Sequence, residues 1–305
     1  MIGHAARPRW AAVVVNHNAG DLLLECARSL LAGGPDPDDG PDLVVVDNAS
    51  TDSSVDALAE ELPDIPVIRS RVNLGYARAA NLGAAATAAP VILVSNPDVV
   101  FRAGAAGAAL ARFVEPSIAA VGPLIFEVDG SVYPSARREP GIVDAVGHGL
   151  VGLVRPDNPW TRRYRELDVD PHVARDVDWV SGAALWLRRE ALDAVGGWDE
   201  EFFMYAEDVD LCRRLRGAGW RVVFEPGAEV THVGGASTAG RPYRMIVEHH
   251  RSLFRFASKH WSGVRRVLLP AAAVILAVRA ALAMVANLVR EVVGQDTSSL
   301  HPVDP

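Results

Sequence analysis

The chain has 305 residues, half of them apolar and 22% charged, which suits one large α/β domain with an appendage and argues against a disordered chain. Two distant cysteines, Cys26 and Cys212, exclude a disulfide framework and a paired-cysteine metal knuckle, and fit a reducing compartment. The formal charge is −8, and no basic platform studded with aromatics is present, so nucleic acid is not an expected partner.

Residues 1–9 lack the apolar core of a signal peptide and residues 10–15 are too short to supply one, so the body is expected in the cytoplasm. Residues 10–15 (WAAVVV) predict a buried strand, followed by the loop Asn16-His17-Asn18. Residues 21–31 predict a helix with Asp21 as its cap. After a Gly/Pro/Asp loop at 33–41 come a strand at 43–46 ending at Asp47, a helix near 55–61 and a strand near 67–69. An alanine-rich helix at 77–88 and a strand at 91–94 follow, the latter running into Ser95-Asn96-Pro97-Asp98. This order predicts a mostly parallel sheet flanked by helices.

Residues 126–178 are irregular and rich in Pro, Arg and aromatics, with a hairpin signal at Asp129-Gly130. They read as an excursion from the sheet that carries acceptor specificity. Regular structure is expected again from Trp179: a strand through Leu187, a helix at 189–195, a helix from about Ala206 to 217–219, a strand at 221–224 and an apolar stretch ending at His232.

Residues 241–266 hold seven Lys/Arg against one acid, Glu248. The stretch reads equally as a face for an anionic membrane surface and as a solvated basic face. In the apolar segment 264–293, Arg265, Arg279 and Arg290 are spaced 14 and 11 residues apart, close to whole helical turns, so one helix would carry them on one side. A spanning helix would bury Arg279 at a cost of roughly 2.5–3.5 kcal/mol, which an interfacial helix avoids. Contact with a membrane or with a second copy of the chain in a homodimer is expected over packing on its own body. The chain thus divides into a catalytic domain at 1–240, with a nucleotide half near 10–125 and an acceptor half near 126–240. A helical contact region at 241–293 and a disordered tail at 294–305 complete it.

Parallel sheets bind ligands at the carboxyl ends of their strands, and Asn16, Asp47 and Asp98 all stand there. For a nucleoside-diphosphate sugar, Asp47 suits ribose or base hydrogen bonds. Gly75, at a helix start, permits close approach of a phosphate, with Asn73 and Asn81 beside it. Asp98 suits Mg²⁺ or Mn²⁺, and His232 is the candidate second ligand, which would favour Mn²⁺. Glu207-Asp208 opens a helix after an aromatic turn at 196–205, where partial desolvation would raise a carboxylate's pKa and make it a better base. Taken singly, each of these residues also reads as a turn, cap or dipole-matched residue.

The ordered set VVVNHN, VVVDNASTD, NLGYARAAN, SNPD, SGAALWLRR, GGWDEEFFMYAEDVDLCRRLRGAGW and the His232 loop resembles glycosyltransferase family 2, over residues 10 to about 261. The resemblance implies a GT-A type α/β fold and a metal-dependent inverting transfer. Asp208 would be the base, with Glu207 and Asp199 shaping the acceptor pocket. Asn16, Asp47, Asn73, Gly75, Asn81, Asp98, Ser181 and Gly182 would bind the donor. Asp98 and His232 would hold the metal. Within the family, Gly122-Pro123-Leu124-Ile125, the run Asp129–Arg137, Asn158-Pro159-Trp160-Thr161 and Tyr164-Arg165 are similar to the actinobacterial rhamnosyltransferases of cell-wall assembly. That implies dTDP-L-rhamnose as nucleotide-sugar donor and N-acetylglucosaminyl-diphospho-polyprenol as lipid-linked acceptor. Trp198, Asp199, Tyr133 and Arg137 would then be on the acceptor side, and the enzyme would be peripheral on the inner face of the plasma membrane.

Two departures stand out. Asn96 replaces the first acid of the common DxD motif, and His17 stands where many relatives have tyrosine. Alternatives are another donor, such as UDP-galactofuranose or UDP-glucose, and a non-catalytic nucleotide-sugar binder. A nucleotidyltransferase is disfavoured, because the loop Asn16–Gly20 has no Lys or Arg.

Overall fold

The computed structural model describes residues 10–32, 40–139, 141, 144, 147–152, 155, 157–234 and 242–293. The signal-peptide reading of 1–9, most of the 33–41 loop, Arg241 and the tail at 294–305 lie outside the described residues.

Strands β1 (Trp10–Asn16), β2 (Asp42–Asp47), β3 (Val67–Arg69) and β4 (Val91–Ser95) are parallel, in the order β3-β2-β1-β4. Between and around them lie helices α1 (Leu22–Ala32), α2 (Ser54–Glu61) and α3 (Tyr76–Ala85). Then come β5 (Val99–Phe101), α4 (Ala105–Arg112), β6 (Ile118–Phe126) and the short strands β7 (Val132–Tyr133) and β8 (Ala136–Arg137). A π-helical turn (Gly147–Val151) precedes α5 (Pro159–Tyr164), β9 (Arg175–Asp176), β10 (Trp179–Val180), β11 (Ala184–Arg188) and α6 (Arg189–Ala194). The chain continues through α7 (Glu207–Gly217), β12 (Arg221–His232) and α8 (Pro242–His260). A 3₁₀ segment (Gly263–Leu268) leads into α9 (Leu269–Val293).

The central sheet has ten strands. Past β4 it becomes mixed: β11 pairs antiparallel with both β4 and β6, β12 is parallel to β6, and β5 is antiparallel to β12. β8 and β10 form a separate two-stranded ribbon.

β1 is buried throughout, and its alternation divides the core. Trp10, Ala12 and Val14 belong to the core layer that also takes in Leu23 and Leu30 of α1, Leu58 of α2 and Leu110 of α4. Val13 and Val15 belong to the core layer on the side of α3, which also takes in Leu211 and Leu215 of α7. Each Leu or Val so buried contributes about 1.5–3 kcal/mol. α3 lies flat on β1 and β2 because Gly83 faces Val13 and Val46 with no room for a Cβ.

The predicted strands and helices of the first hundred residues are present, with ends shifted by one to three residues. The stretch after 221 is one bulged strand, not a strand and a separate apolar run. Its register slips between Glu225 and Glu229, where Pro226 cannot donate to the ladder and the Gly227 N–H bonds back to Glu225 Oε1 at 2.7 Å.

The arginine stripe predicted for the C-terminal segment does not form. Arg265 lies exposed in the 3₁₀ segment, whose three-residue turn breaks the helical phase with α9. Arg279 instead turns inward against α8, 5% exposed. The Arg290 side chain lies outside the described set. Part of the basic stretch at 241–266 is paired with acids of the protein's own body: Arg255 with Glu201, and Lys259 with Asp199 and Asp210.

Candidate active site

The carboxyl ends of β1 and β2 meet at Asn16 and Asp47, which are register partners. Asn16 is wholly buried, and its amide nitrogen reaches Asp47 Oδ1 (3.2 Å) and the Ser50 and Ser54 hydroxyls (3.0 Å each). The Ser50 N–H also donates to Asp47 Oδ1 (3.3 Å). One buried amide thus fixes the Asp47 carboxylate and the turn after it.

The next residue braces the loop at 73–75. The Asn48 amide donates to Asn73 Oδ1 (3.1 Å) and Gly75 C=O (3.2 Å), and its oxygen accepts the Leu74 N–H (2.7 Å). Gly75 has φ +86°, and a Cβ there would lie 2.5 Å from the Phe203 carbonyl oxygen, so only glycine serves. The Tyr76 N–H donates to that same carbonyl (2.8 Å). The loop at 73–76 is therefore locked to the aromatic turn before α7.

At the end of β4, Asp98 is buried and its Oδ1 lies 3.1 Å from His232 Nε2. The pairing of β12 with β5, which sets His232 opposite Val99, delivers the imidazole there. The Asn96 amide is 3.5 Å from the same nitrogen. One hard oxygen donor and one imidazole fit half of a divalent-cation site. No group of three or more His, Cys, Asp or Glu that could hold a metal occurs among the described residues, so ligands from a diphosphate would have to complete it.

α7 opens with Glu207 and Asp208. The Asp208 carboxylate accepts the N–H of Gly182 on Oδ2 and its neighbour Val209 on Oδ1 (2.8 Å each). Burial raises both carboxyls. Glu207 is pushed well above the usual range by burial and by the neighbouring Asp208 charge. Burial also raises Asp208, but the two N–H groups and the Arg137 guanidinium oppose this by favouring the anion. Glu207 thus holds its proton more tightly than an ordinary carboxylic acid, while the Asp208 anion keeps backbone donors and a nearby cation in its favour. The Glu207 Oε2 has no hydrogen-bond partner among the described residues.

Tyr76 ties these parts together. Its hydroxyl donates to the Gly182 carbonyl (2.8 Å). Burial raises its pKa well above the ordinary value, and the charges of Glu207, Asp208 and Asp98 add to the rise.

Other expected residues take different places. The Asn81 amide bonds the aromatic turn: it donates to Trp198 C=O (2.9 Å) and Glu200 Oε1 (3.2 Å) and accepts the Trp198 N–H (2.9 Å). Trp198 is core, 1% exposed and edge-on to Tyr76. Asp199 accepts from Lys259 (2.6 Å) and the Glu201 N–H (3.0 Å). Arg137 is fully buried between the rings of Tyr133, Tyr164 and Trp179 and donates to the Tyr133 hydroxyl (2.6 Å). The Ser181 hydroxyl accepts the Ala183 N–H (3.3 Å), which shapes the turn presenting Gly182.

Sequence reasoning missed Asn48, Tyr76 and Asp210. Asn48 and Tyr76 lie inside recognised motifs and could have been weighed there. Asp210 lies in one too, but its partners Lys259 and His260 are some fifty residues away (2.7 Å each), with Arg214 one helical turn on, so motif and spacing do not reveal its role. Burial alone would raise its pKa; the hydrogen bonds from His260, Lys259 and Arg214 outweigh this and hold it at about 2.

Residues 11–196 match the model of glycosyl transferase family 2, and 172–292 match that of glycosyl transferase family group 2. The chain belongs to glycosyltransferase family 2. This glycosyltransferase is 40% identical over 233 residues to the N-acetylglucosaminyl-diphospho-decaprenol L-rhamnosyltransferase of Mycobacterium tuberculosis, covering 72% of the chain and 76% of that protein. It is 33% identical over 190 residues to the pre-mycofactocin glycosyltransferase of the same organism, covering 62% of the chain and 37% of that protein. Among solved structures, it resembles a mannosyltransferase from Pyrobaculum calidifontis in complex with GDP-Man and Mn²⁺, with TM-score 0.58 and 20% identity over 92% of the chain and 76% of that one. That likeness establishes the GT-A-like fold. The second family model extends through α8 and α9, so the C-terminal helices belong to the family frame.

Proposed function

We propose that this enzyme transfers L-rhamnose from dTDP-L-rhamnose to N-acetylglucosaminyl-diphospho-polyprenol, with inversion, in the synthesis of a cell-wall linker. The substrate reading rests on the 40% identity to the mycobacterial rhamnosyltransferase. The chemical reading rests on the hydrogen-bonded link in which the Tyr76 hydroxyl donates to the Gly182 carbonyl and the Gly182 N–H donates to the Asp208 carboxylate, 2.8 Å each.

Asp208 accepts the proton of the attacking acceptor hydroxyl, and its anion is held in place by the N–H groups of Gly182 and Val209. Attack at the anomeric carbon is in line with the departing diphosphate, so a β-linked donor gives an α-rhamnoside with no covalent enzyme intermediate. Asp47 receives the nucleoside, and the loop at 73–75 approaches the phosphates. Asp98 and His232 would hold Mg²⁺ or Mn²⁺, which when bound supplies charge neutralisation to the leaving diphosphate.

The partner surface is an anionic membrane. Val274, Val278, Leu282, Val285 and Val289, spaced along one side of α9, are each more than half exposed. Arg265 and Arg266 stand exposed just before them. Residues 263–289 are long and apolar enough to cross a membrane. Against crossing stand the inward Arg279 and the hydrogen bond from Tyr243, at the start of α8, to Glu291, near the end of α9 (2.8 Å). That closure keeps α9 along α8, so the helix lies in the interface of the cytoplasmic leaflet.

Purified enzyme with Mg²⁺ or Mn²⁺ and the diphospholipid acceptor, offered dTDP-rhamnose, UDP-galactofuranose and UDP-glucose separately, tests the substrate. Transfer from dTDP-rhamnose alone is expected. Transfer from a UDP sugar, or from none of the three, would cut the reading back to an unassigned family 2 transferase.

A further inference from the structure

Tyr205 and Ala206, immediately before the Glu207–Asp208 pair, both adopt left-handed backbone conformations, with φ of +69° and +61°. Two such non-glycine residues in succession persist only where their surroundings hold them. The segment that contains them is held by the inner face of α8. The Ser252 hydroxyl donates to the Met204 carbonyl (2.8 Å), and Arg244 sits over the Phe203 ring (4.8 Å). Arg255 pairs with Glu201, and Lys259 with Asp199. The His249 ring meets Tyr205 edge-on, with centroids 5.3 Å apart. α8 is thus a splint along the turn that delivers the base.

The splint has a second layer. From the middle of α9, the Arg279 guanidinium reaches His249 Nε2 at 3.4 Å. Arginine can only donate, so this nitrogen accepts, which leaves His249 neutral with its proton on Nδ1. Arg279 is buried with no carboxylate partner among the described residues, whereas Arg255 and Lys259, less buried on α8, both have one. A cation buried against a neutral ring is a poor way to glue two helices, because an apolar side chain would pack there at less desolvation cost. The contact makes sense as a means of orienting the imidazole.

We propose that Arg279 and His249 are positioning residues for glycosyl transfer, carrying the seating of α9 on its membrane through Tyr205 to the left-handed bend that sets Asp208. The inference rests on Asp208 being the base and on α9 lying at the membrane. It makes the enzyme most active when α9 is docked, where the lipid-linked acceptor resides.

The test uses the full chain on phosphatidylglycerol-containing vesicles carrying the diphospholipid acceptor. Arg279→Met should lower kcat about 10-fold or more, as small misplacements of reacting groups do, with donor KM and vesicle recovery unchanged. Arg279→Lys, which keeps a donor cation, should restore most of the loss. Wild-type kcat in Arg279→Met, or a loss that lysine does not restore, would overturn the proposal. Should Arg279→Met not fold, His249→Phe reads the same link: it keeps a ring against Tyr205 and removes the acceptor for Arg279. It should show the same fall in kcat, and an unchanged kcat would overturn the proposal. Asp208→Asn, run alongside, tests the base separately, since turnover in that variant would sink the base assignment whatever Arg279 does.

Discussion

Tyr76 and Asp208 are joined through one residue: the phenol donates to the Gly182 carbonyl, and the Gly182 N–H donates to the Asp208 carboxylate, each at 2.8 Å. α3 and α7 are thereby held to a common turn. Tyr76→Phe keeps the ring and leaves a buried carbonyl without its donor. It should cost about 1–3 kcal/mol of stability and lower kcat more than it alters donor KM. Thermal melting and steady-state kinetics on the same preparation check both.

The pH dependence follows from the base. Asp208 is raised from the ordinary aspartate value, so kcat/KM should fall, as pH drops, through a midpoint above that value. Because the Arg137 charge favours the anion, Arg137→Gln should move this acid limb to higher pH. A limb that stays in place would separate Arg137 from Asp208 electrostatically.

Stability should show two opposite proton linkages. The raised Glu207 binds its proton more tightly when folded, so its contribution is complete below the unfolded value and is lost as pH rises through the folded value. Asp210 is the reverse. It is held at about 2 against an ordinary 3.8, so its contribution is present above 3.8 and is lost as pH falls towards 2. Asp210→Asn should therefore destabilise the protein by about 2 kcal/mol at neutral pH and by progressively less in acid, measured by urea unfolding from pH 7 to 3.

Much of this was legible beforehand. The strand ends at Asn16, Asp47 and Asp98 follow from buried β-branched runs that stop at polar residues. The Asp98–His232 pair was anticipated from His232 standing at a strand end. Other features depend on tertiary partners that spacing does not reveal. Asn81 bonds the Trp198 backbone across more than a hundred residues, and Arg137 closes an aromatic cage built from three separate elements. Arg279 had the period of an exposed stripe, but the 3₁₀ turn before α9 broke the phase and α8 covered it.

The cation site makes a separable prediction. Activity should vanish with a chelator and return with Mg²⁺ or Mn²⁺. His232→Ala should raise the cation concentration needed for half-maximal activation, and Asp98→Asn should raise it further, because it removes the anionic oxygen donor. Activation titrations with each ion measure this, and identical curves for His232→Ala and the parent would remove the imidazole from the site.

The membrane face is tested by charge. Val278→Glu with Leu282→Glu places two acids on the exposed side of α9, away from α8. Recovery with anionic vesicles should drop several-fold at unchanged melting temperature. Loss of a dimer in solution with unchanged vesicle recovery would assign the face to a second copy of the chain instead.

The most direct measurement is turnover and donor binding by Asp208→Asn. The side chain keeps its size and an oxygen to accept the Gly182 N–H, but it has no carboxylate to take a proton. Transfer should fall at least 10²–10⁴-fold while dTDP-rhamnose affinity stays within a few-fold of the parent. Transfer at the parental rate would contradict the assignment of Asp208 as the base on which this account of the site is built.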